Sequence, residues 1–379
     1  MTTFVYLGVV FHSKGPREGA RKSLQRRMDK ARGALFAMMG TCHDMRIFDP
    51  VVLGRLFDSL CVSSLLYGVE AWGPEVMLRS RQGVALCGEL ERLQALFMRM
   101  ALWLKKSTPL HNMRQELGRV PLALVAVWRC ASFWNRLAEL PGGHWLHKCW
   151  QENPTLGEGA WARQMHNLWM GTVENRGRGE LWAGDGLWDV DRCWEHMESL
   201  QEADHRRGVE RCMEQALEGV DVGSWVRACP DEAREGFKAF KYSRWFQQDM
   251  GGQLALHSRH EAGNIRVLAQ FRCGSHTLDC ELARAEGLRS MRTCRFCASG
   301  DVEDELHVMM CTAWQPQRDR FPLLFSGRAY LDTVQAMEVG GDVDTAFWRF
   351  MNTMQYEQLD CLCGYLKMVF HERRRLDLG

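Results

Sequence analysis

Several features that are common in enzymes are missing from this sequence of 379 residues. It contains no Asp-Asp dipeptide, no Gly-rich phosphate loop of the Walker type and no nucleophile elbow. Polymerase and nuclease chemistry requires paired carboxylates that hold two divalent metal ions. The nearest candidates, Asp189 with Asp191 and Asp342 with Asp344, lie among residues typical of turns and helix caps. The sequence therefore predicts that the chain, as it stands, is not an enzyme.

A secretory signal and a membrane-spanning segment are also missing. The N-terminal stretch MTTFVYLGVVFHSKG has no basic leader and turns polar after about eleven residues. The most apolar run, VVLGRLFDSLCVSSLLYGVEAW, carries Arg55, Asp58 and Glu70, each of which costs about 2.5 to 3.5 kcal/mol near the centre of a bilayer. We therefore expect a protein of the nucleus or cytoplasm that is neither secreted nor inserted in a membrane.

Cysteine, in contrast, is abundant, with 15 residues. In a reducing compartment disulfides are rare, so scattered cysteines such as Cys61 and Cys130 are predicted to be small buried hydrophobic residues. Clustered cysteines in such a compartment more often bind a metal ion.

One cluster stands out in the segment CRFCASGDVEDELHVMMC, residues 294–311, with the spacing Cys-x2-Cys-x9-His-x3-Cys. Two thiolates separated by two residues can bind one ion from a tight turn, and His and Cys four residues apart lie on one side of a helical turn. Gly300 is predicted to provide the bend between the two halves. Four ligands of this type indicate structural zinc, and the alternative is chance proximity in a cysteine-rich chain. The predicted ligands are Cys294, Cys297, His307 and Cys311.

Charge is divided unevenly along the chain. Residues 1–148 contain 21 Lys or Arg and 11 Asp or Glu, whereas the remaining residues contain 27 and 36. The first part is +10 and the remainder is −9, although the whole chain is only +1. Such a split suggests that the first part meets a polyanion. Residues 149–240 are acidic and rich in Trp, and a Trp stripe is more often core than a stacking platform.

Hydrophobic periodicity predicts a mainly α fold after a short N-terminal strand. Residues 4–11 are typical of one strand, which needs sheet partners that we expect upstream of Met1. Residues 17–39 predict a helix with basic residues on its flanks and back, which either form a solvated surface or face phosphates. The apolar face of this helix comprises Ala20, Leu24, Met28, Ala31, Leu35 and Met38.

Further helices follow. Asp49 and Pro50 are suited to begin a buried central helix, which Gly73-Pro74 is predicted to end. The remaining helices are predicted at residues 89–105, from Thr108-Pro109, over VPLALVAVWRCASFWNRLAEL before Pro141, and as one or two closing helices with Arg373, Arg374 and Arg375 in the last turn.

Three stretches in this order resemble the region that follows the catalytic palm in reverse transcriptases of LINE-type (non-LTR) retrotransposons. They are YLGVVF followed by a basic helix, then FDSLCVSSLLYGVEAWGP, then ELERLQALFMRMALWLKKSTPLHNMRQELGRVPL. In that family the YLG strand closes the palm near the primer, and the helices that follow form the thumb. VLAQFRCGSHTL before the Cys-Cys-His-Cys motif is similar to the family's C-terminal segment. The resemblance covers most of the chain and is weakest over residues 150–240.

The resemblance implies the C-terminal part of such a polymerase, with a second helical region and a small zinc-stapled segment after the thumb-like domain. The fingers and most of the palm would lie before Met1. The implied segments are residues 1–16 (residual palm strand and turn), 17–148 (helical thumb-like domain), 149–240 (acidic Trp-rich helical region), 241–325 (basic segment with the zinc motif) and 326–379 (C-terminal helices).

By similarity, basic side chains would face the backbone of a primer-template, and the zinc segment would hold template RNA or target DNA. The missing palm domain, or a full-length reverse transcriptase, is a further implied partner, and the oligomeric state stays open. The implied nucleic-acid contacts are Lys22, Arg26, Lys30, Lys105, Lys106, Arg114, Arg119, Arg266 and Arg272.

Three functions remain open on these grounds. The first is a non-catalytic nucleic-acid-binding fragment of a reverse transcriptase. The second is a zinc-stabilised protein-interaction remnant whose Trp-rich middle supplies a docking surface. The third is a decayed transposon reading frame without function, which the unpaired N-terminal strand favours and the complete set of metal ligands argues against.

Overall fold

The fold is taken from a computed structural model, which describes residues 3–77, 88–153, 160–165, 242, 245–246, 261–278, 280 and 293–377. Most of these residues are helical, and the strands form a short N-terminal pair, so the predicted mainly α fold is confirmed. The prediction for the acidic Trp-rich region lies largely outside the described residues, as does the Asp189 and Asp191 pair.

The chain divides into two compact units that each combine several stretches of sequence. The first unit comprises Met1–Arg46, Gly54–Phe97 and Val120–Ala203. The second unit comprises Ile47–Leu53, Met98–Arg119 and Asp204–Gly379. This grouping cuts across chain order, whereas the five segments predicted from the sequence follow it.

The N-terminal residues form an antiparallel hairpin of β1, Thr3–Tyr6, and β2, Val9–His12. Both residues of the connecting turn have positive φ, 47° at Leu7 and 82° at Gly8, as the tight turns of two-residue hairpins require. The prediction of one continuous strand over residues 4–11 is therefore wrong, because the turn at Leu7-Gly8 provides β2 as a sheet partner within the chain.

Helix α1, Pro16–Asp44, is longer than predicted but buries the predicted face. Proline fits the first helical position, where its missing N–H leaves no carbonyl unpaired. Met28 is half-buried, and the other predicted positions are fully buried. Those buried positions are Ala20, Leu24, Ala31, Leu35 and Met38.

The hairpin packs on α1 through polar as well as apolar contacts. Val10 is buried, and its backbone N–H donates a hydrogen bond of 2.8 Å to the Ser23 hydroxyl. Arg27 donates from Nη2 to the Gly8 carbonyl at 2.9 Å, and its guanidinium lies 4.4 Å from the centre of the Tyr67 ring. A Cβ at residue 8 would collide with this guanidinium, which together with the positive φ requires glycine.

The predicted central helix is interrupted. It consists of α2 (Pro50–Leu56), a π-helical stretch (Phe57–Val62), α3 (Ser63–Leu65) and α4 (Val69–Met77). Asp49 does accept a hydrogen bond from the Val51 N–H at 2.8 Å, as expected of a cap. The left-handed Gly68, with φ 65°, then separates α3 from α4.

Pro74 lies inside α4 and does not end it, so the predicted end of the helix is wrong. A proline inside a helix leaves the carbonyl four residues earlier without its usual N–H donor. Here that carbonyl belongs to Glu70, and it accepts a hydrogen bond of 2.7 Å from the indole N–H of Trp161. The indole replaces the missing backbone donor, which explains why the helix continues through the proline.

The next predicted helices are present with small shifts of their ends. The predicted helix of residues 89–105 ends early because Trp103 adopts a left-handed φ of 52°. Cys61 and Cys130 are buried as predicted, whereas Cys149 is exposed, and burial raises the pKa of the Cys61 thiol to about 11. These helices are α5 (Gly88–Leu102), α6 (Leu110–Glu116), α7 (Leu122–Ala138) and α8 (Trp145–Glu152).

The described helices after residue 260 include a long C-terminal helix, whose buried side includes Leu362, Tyr365 and Val369. They are α9 (Ala262–Arg272), α10 (Glu305–Met310), α11 (Gln315–Arg318), α12 (Pro322–Phe325), α13 (Arg328–Val339), α14 (Val343–Asn352) and α15 (Tyr356–Asp377), with one 3-10 turn at Thr312–Trp314. The predicted closing helices correspond to α14 and α15.

Within the described part of the chain, no single helix is both long and apolar enough to cross a membrane. Two consecutive helical stretches, Pro50–Leu65 and Val69–Glu75, are long and apolar enough when taken together, by length and composition only, but the chain bends by 70° between them.

Candidate metal centre and basic side chains

The first two predicted ligands lie on a small loop closed by an antiparallel bridge between Thr293 and Val302. The N–H of Cys294 donates a hydrogen bond of 2.7 Å to the Asp301 carbonyl, which holds the loop at its base. Gly300 provides the predicted bend with a φ of 76°. The loop presents Cys294 and Cys297 from one tight turn.

The other two ligands are placed by helix α10. Asp304 caps this helix and accepts a hydrogen bond from the His307 N–H at 2.9 Å. Cys311 follows the helix directly, and its own N–H donates to the His307 carbonyl at 2.6 Å. His307 and Cys311 are therefore on one side of the same turn, as their spacing predicts.

All four ligand atoms lie within 4.8 Å of one another, so these residues can hold a metal ion. The Sγ atoms of Cys294 and Cys311 are 3.8 Å apart, and Sγ of Cys297 is 3.4 Å from Nε2 of His307. Tetrahedral bonds of about 2.3 Å to sulfur place two sulfur atoms about 3.8 Å apart. The separation of Cys294 and Cys311 matches this value, and the predicted set of four is brought close enough together to hold one ion.

Burial controls the protonation of these groups when no metal is bound. It raises the pKa of Cys294 and raises that of Cys311 to about 12. The pKa of Cys297, which burial alone would raise, is lowered by hydrogen bonds from Ser299. Burial lowers the pKa of His307, which favours the neutral imidazole that ligates metals. A metal ion must therefore displace protons from the buried thiols when it binds.

The second imidazole nitrogen of His307 faces a carboxylate. Nδ1 lies 3.8 Å from Oδ2 of Asp301, which is exposed. This distance is too long for a hydrogen bond, so Asp301 acts on the imidazole through its charge. Neither Asp301 nor the helix cap Asp304 was predicted from the sequence, although Asp before a short apolar helix is a recognisable N-cap signal.

Among the basic residues of α1, three of the predicted contacts form a stripe. Lys22, Arg26 and Lys30 are spaced by four residues and so lie on the same side of the helix. Arg26 and Lys30 are exposed, and Lys22 is half-buried with Nζ 3.4 Å from the Thr3 hydroxyl. The sequence prediction placed these residues on the flanks and back of α1, where the structure leaves Arg26 and Lys30 exposed.

In the second unit the predicted basic residues divide into exposed and partly engaged groups. Lys106 and Arg266 are exposed, and Arg119 is half-buried. Lys105 is also exposed, but its Nζ donates a hydrogen bond of 2.7 Å to the His276 carbonyl. Lys105 therefore helps to hold in place the segment around His276, which precedes the loop of Cys294 and Cys297 in the sequence.

Arg272 and Arg114 are buried, which corrects the prediction that they contact nucleic acid. Arg272 donates from Nε to Glu116 at 2.8 Å and from Nη2 to the Phe246 carbonyl at 2.7 Å. The hydroxyl of Tyr242 donates to the same carboxylate at 2.7 Å. Desolvation and Glu116 raise the pKa of Tyr242 well above its ordinary value, so Tyr242 stays a donor. Periodicity could have revealed Arg272, because it shares a helix face with the buried Leu268.

The hairpin exposes a row of aromatic side chains that the sequence prediction did not single out. Phe4 is 57%, Tyr6 58% and Phe11 53% exposed. Phe4 and Tyr6 stack with ring centres 6.4 Å apart, and Phe11 is paired opposite Phe4. Alternation along two strands places these rings on one face, so the pattern becomes readable once the turn is recognised.

No protein-family model, curated protein or solved structure matches this chain.

Proposed function

We propose that the chain is a non-catalytic nucleic-acid-binding part of a LINE-type reverse transcriptase, the C-terminal portion that follows the palm. The exposed basic stripe of α1 is the observation that carries this proposal. RNA or DNA in a primer-template or target site is the proposed partner, bound through its phosphates.

The stripe of Lys22, Arg26 and Lys30 runs about 12 Å along α1, since a helix rises about 1.5 Å per residue. Acidic residues near it are already engaged: Glu18 pairs with Arg21 at 2.7 Å, and Asp29 accepts a hydrogen bond of 3.0 Å from Gln25. Cationic side chains at this density attract a phosphate backbone without reading its sequence.

We further propose that the four-ligand site holds zinc. Three thiolates and one imidazole are the donor set of structural zinc sites, and because the protein supplies all four ligands, no position is left for a substrate or a catalytic water. The proposed role of the ion is to stabilise the loop of Cys294 and Cys297 against helix α10.

The aromatic face of the hairpin supports a second proposed partner, a reverse-transcriptase palm domain. Contiguous exposed apolar surface marks interaction sites, and Phe4, Tyr6 and Phe11 form such a surface. This face equally favours the alternative function, a zinc-stabilised protein-interaction remnant without nucleic-acid binding.

The test is the binding of a primed RNA template to the full chain, measured by fluorescence anisotropy over a range of salt concentrations. We expect the logarithm of the binding constant to fall linearly with the logarithm of salt concentration. Replacing Lys22, Arg26 and Lys30 together with Gln should weaken binding and reduce the slope by about one for each lost phosphate contact.

A matched control replaces three exposed basic residues on other helices of the first unit, Arg55, Arg92 and Lys148, with Gln. This control removes the same charge and should bind more tightly than the stripe variant. A salt-independent binding constant, or equal losses in both triple variants, would refute the proposal. Absence of binding together with zinc-dependent stability would favour the protein-interaction alternative.

A further inference from the structure

We propose that two buried arginines, Arg318 and Arg373, are positioning residues of the metal centre. They hold its loop half, which carries Cys294 and Cys297, and its helical half, which carries His307 and Cys311, in place relative to helix α15. This inference rests on the proposed zinc site and adds the side chains on which zinc binding depends. Neither arginine is a predicted ligand, and both lie outside the sequence motif of residues 294–311.

Arg373 holds the loop half of the centre. It lies on α15, is 1% exposed, and donates from Nη1 to the carboxylate of Glu303, which is fully buried. Nη2 donates to the Thr277 carbonyl at 2.9 Å, and the guanidinium lies 4.8 Å from the centre of the Phe296 ring. Phe296 is between Cys294 and Cys297 in the sequence, so Arg373 packs directly on the turn that presents both thiolates.

Arg318 holds the helical half. It is 5% exposed and donates from Nη1 to the carbonyls of Cys311 at 2.6 Å and Met309 at 3.3 Å. These carbonyls lie at the C-terminal end of α10, where the intrahelical donors run out. Nη2 of Arg318 donates to Oε1 of Gln315 at 2.7 Å, which fixes the orientation of the guanidinium. Arg318 therefore sets the backbone of Cys311, the last ligand of the motif.

Helix α15 contacts this half as well. The buried Tyr365 donates from its hydroxyl to the Val308 carbonyl in α10 at 2.6 Å. Tyr365 and Arg373 are eight residues apart on α15, so they lie on the same side of that helix. One helix thus touches both the segment that carries His307 and the loop that carries the first two cysteines.

The contacts predict thermodynamic coupling between the arginines and the metal ion. An arginine that merely fills the core stabilises the metal-free and the zinc-loaded protein equally. An arginine that positions ligands contributes more when the ion is bound, and its loss must lower the affinity for zinc by the same factor. Residues that orient metal ligands from outside the first coordination sphere contribute about 10- to 100-fold to metal affinity.

The experiment measures zinc affinity of the full chain by competition with a chromophoric chelator, together with melting temperatures of the zinc-loaded and zinc-free forms. Arg373→Gln and Arg318→Gln should each lower the affinity at least about tenfold. The difference in melting temperature between loaded and free protein should shrink in both variants. Absorption of bound Co²⁺, used in place of zinc, should also shift in its d–d bands.

Matched controls are available on helix α15 and in the turn directly after helix α11. Arg374→Gln changes the next residue of α15, which is exposed, and Arg320→Gln changes an exposed residue two positions after Arg318. Both should bind zinc within about twofold of the original chain. Tyr365→Phe, which removes a single hydrogen bond and should fold normally, is expected to lower the affinity about fivefold.

Unchanged zinc affinity in the arginine variants, with both melting temperatures lowered equally, would overturn the inference and leave the arginines as core residues. The same conclusion follows if Tyr365→Phe binds zinc normally and the arginine variants do not fold. Failure of the original chain to bind zinc would refute the proposed metal site itself. This outcome can be told apart from failure of the inference, because the original chain is measured before any variant.

Discussion

Helix α1 of the first unit and the core of the second unit place most of their basic side chains in contrasting environments. In the first unit the basic side chains of α1 mostly point to solvent, with Arg26 and Lys30 exposed. In the second unit Arg272, Arg318 and Arg373 are all at most 5% exposed and donate to buried carboxylates and carbonyls. A count of charges therefore does not measure the charge that a partner meets, because buried cations are already neutralised by the fold.

This comparison separates two functions of one residue type. Exposed arginines act over distance on a polyanion and leave stability almost unchanged. Buried arginines donate several hydrogen bonds in a fixed fork and cannot be removed without leaving an acceptor unsatisfied. The following predictions test whether substitutions at buried and exposed sites differ in their cost to the free energy of unfolding as clearly as the sites differ in exposure.

The largest expected effect is the loss of the buried pair in the second unit. Arg272→Leu leaves the carboxylate of Glu116 buried without its cation, which should destabilise the protein by about 3 to 5 kcal/mol. The measurement is the shift in the urea unfolding midpoint. The control Arg266→Gln, at an exposed site on the same helix α9, should change stability by at most about 0.5 kcal/mol. Equal effects at the two sites would contradict the division.

The next largest effect should come from the apolar core of the first unit. Leu35 is fully buried on α1, so Leu35→Ala should cost about 3 kcal/mol through lost apolar contact and the cavity it leaves. Phe36→Ala, at a neighbouring residue that is 49% exposed, serves as the control and should cost far less. Thermal melts of both variants check the prediction, and a larger loss in the Phe36 variant would show that this ring is covered.

Removal of zinc should change the hydrogen-exchange protection of the two units differently. If the site holds zinc, saturation at about one hundred times the dissociation constant stabilises the protein by about 2.7 kcal/mol, and a chelator removes this contribution. Hydrogen exchange followed by mass spectrometry should show lower protection of peptides from α10 and α15 and unchanged protection of peptides from α1. Equal loss of protection in all three helices would mean that the ion stabilises both units alike.

The smallest expected effect concerns the cap of the helix that carries His307. Asp304→Ala removes the acceptor of the His307 N–H and should destabilise by about 1 kcal/mol. Asp304→Asn keeps a capping oxygen and should be nearly neutral. Differential scanning calorimetry of the two variants measures the difference, and similar melting temperatures would show that the cap contributes little.

Local patterns predicted the local structures well. The four residues of the Cys/His cluster are separated by short stretches, so their spacing alone constrains them to one turn and one short helix. The apolar face of α1 was readable for the same reason, since burial along a single helix follows its own period. The hairpin was missed because Leu7 is an unusual residue at a positive φ, and a continuous apolar run concealed the turn.

Errors arose where a distant residue changes the outcome. Pro74 was expected to end a helix, but Trp161 supplies the donor that the proline lacks. Arg272 was expected at a phosphate, but Glu116 and Tyr242 come from other parts of the chain to enclose it. Arg373 was expected in the last turn of the closing helix, where a cation interacts favourably with the helix dipole, but it lies against Glu303 in the core.

The sequence by itself determined the helical class, the buried face of α1 and the four members of the Cys/His cluster, because periodicity and residue spacing are properties of neighbouring residues. Only the tertiary structure decided which basic side chains remain outside and which enter the core. The free energy of a cation depends on whether a carboxylate or carbonyl meets it after folding, and that partner lies far away along the chain. Composition gives the number of charges, and packing decides where they act.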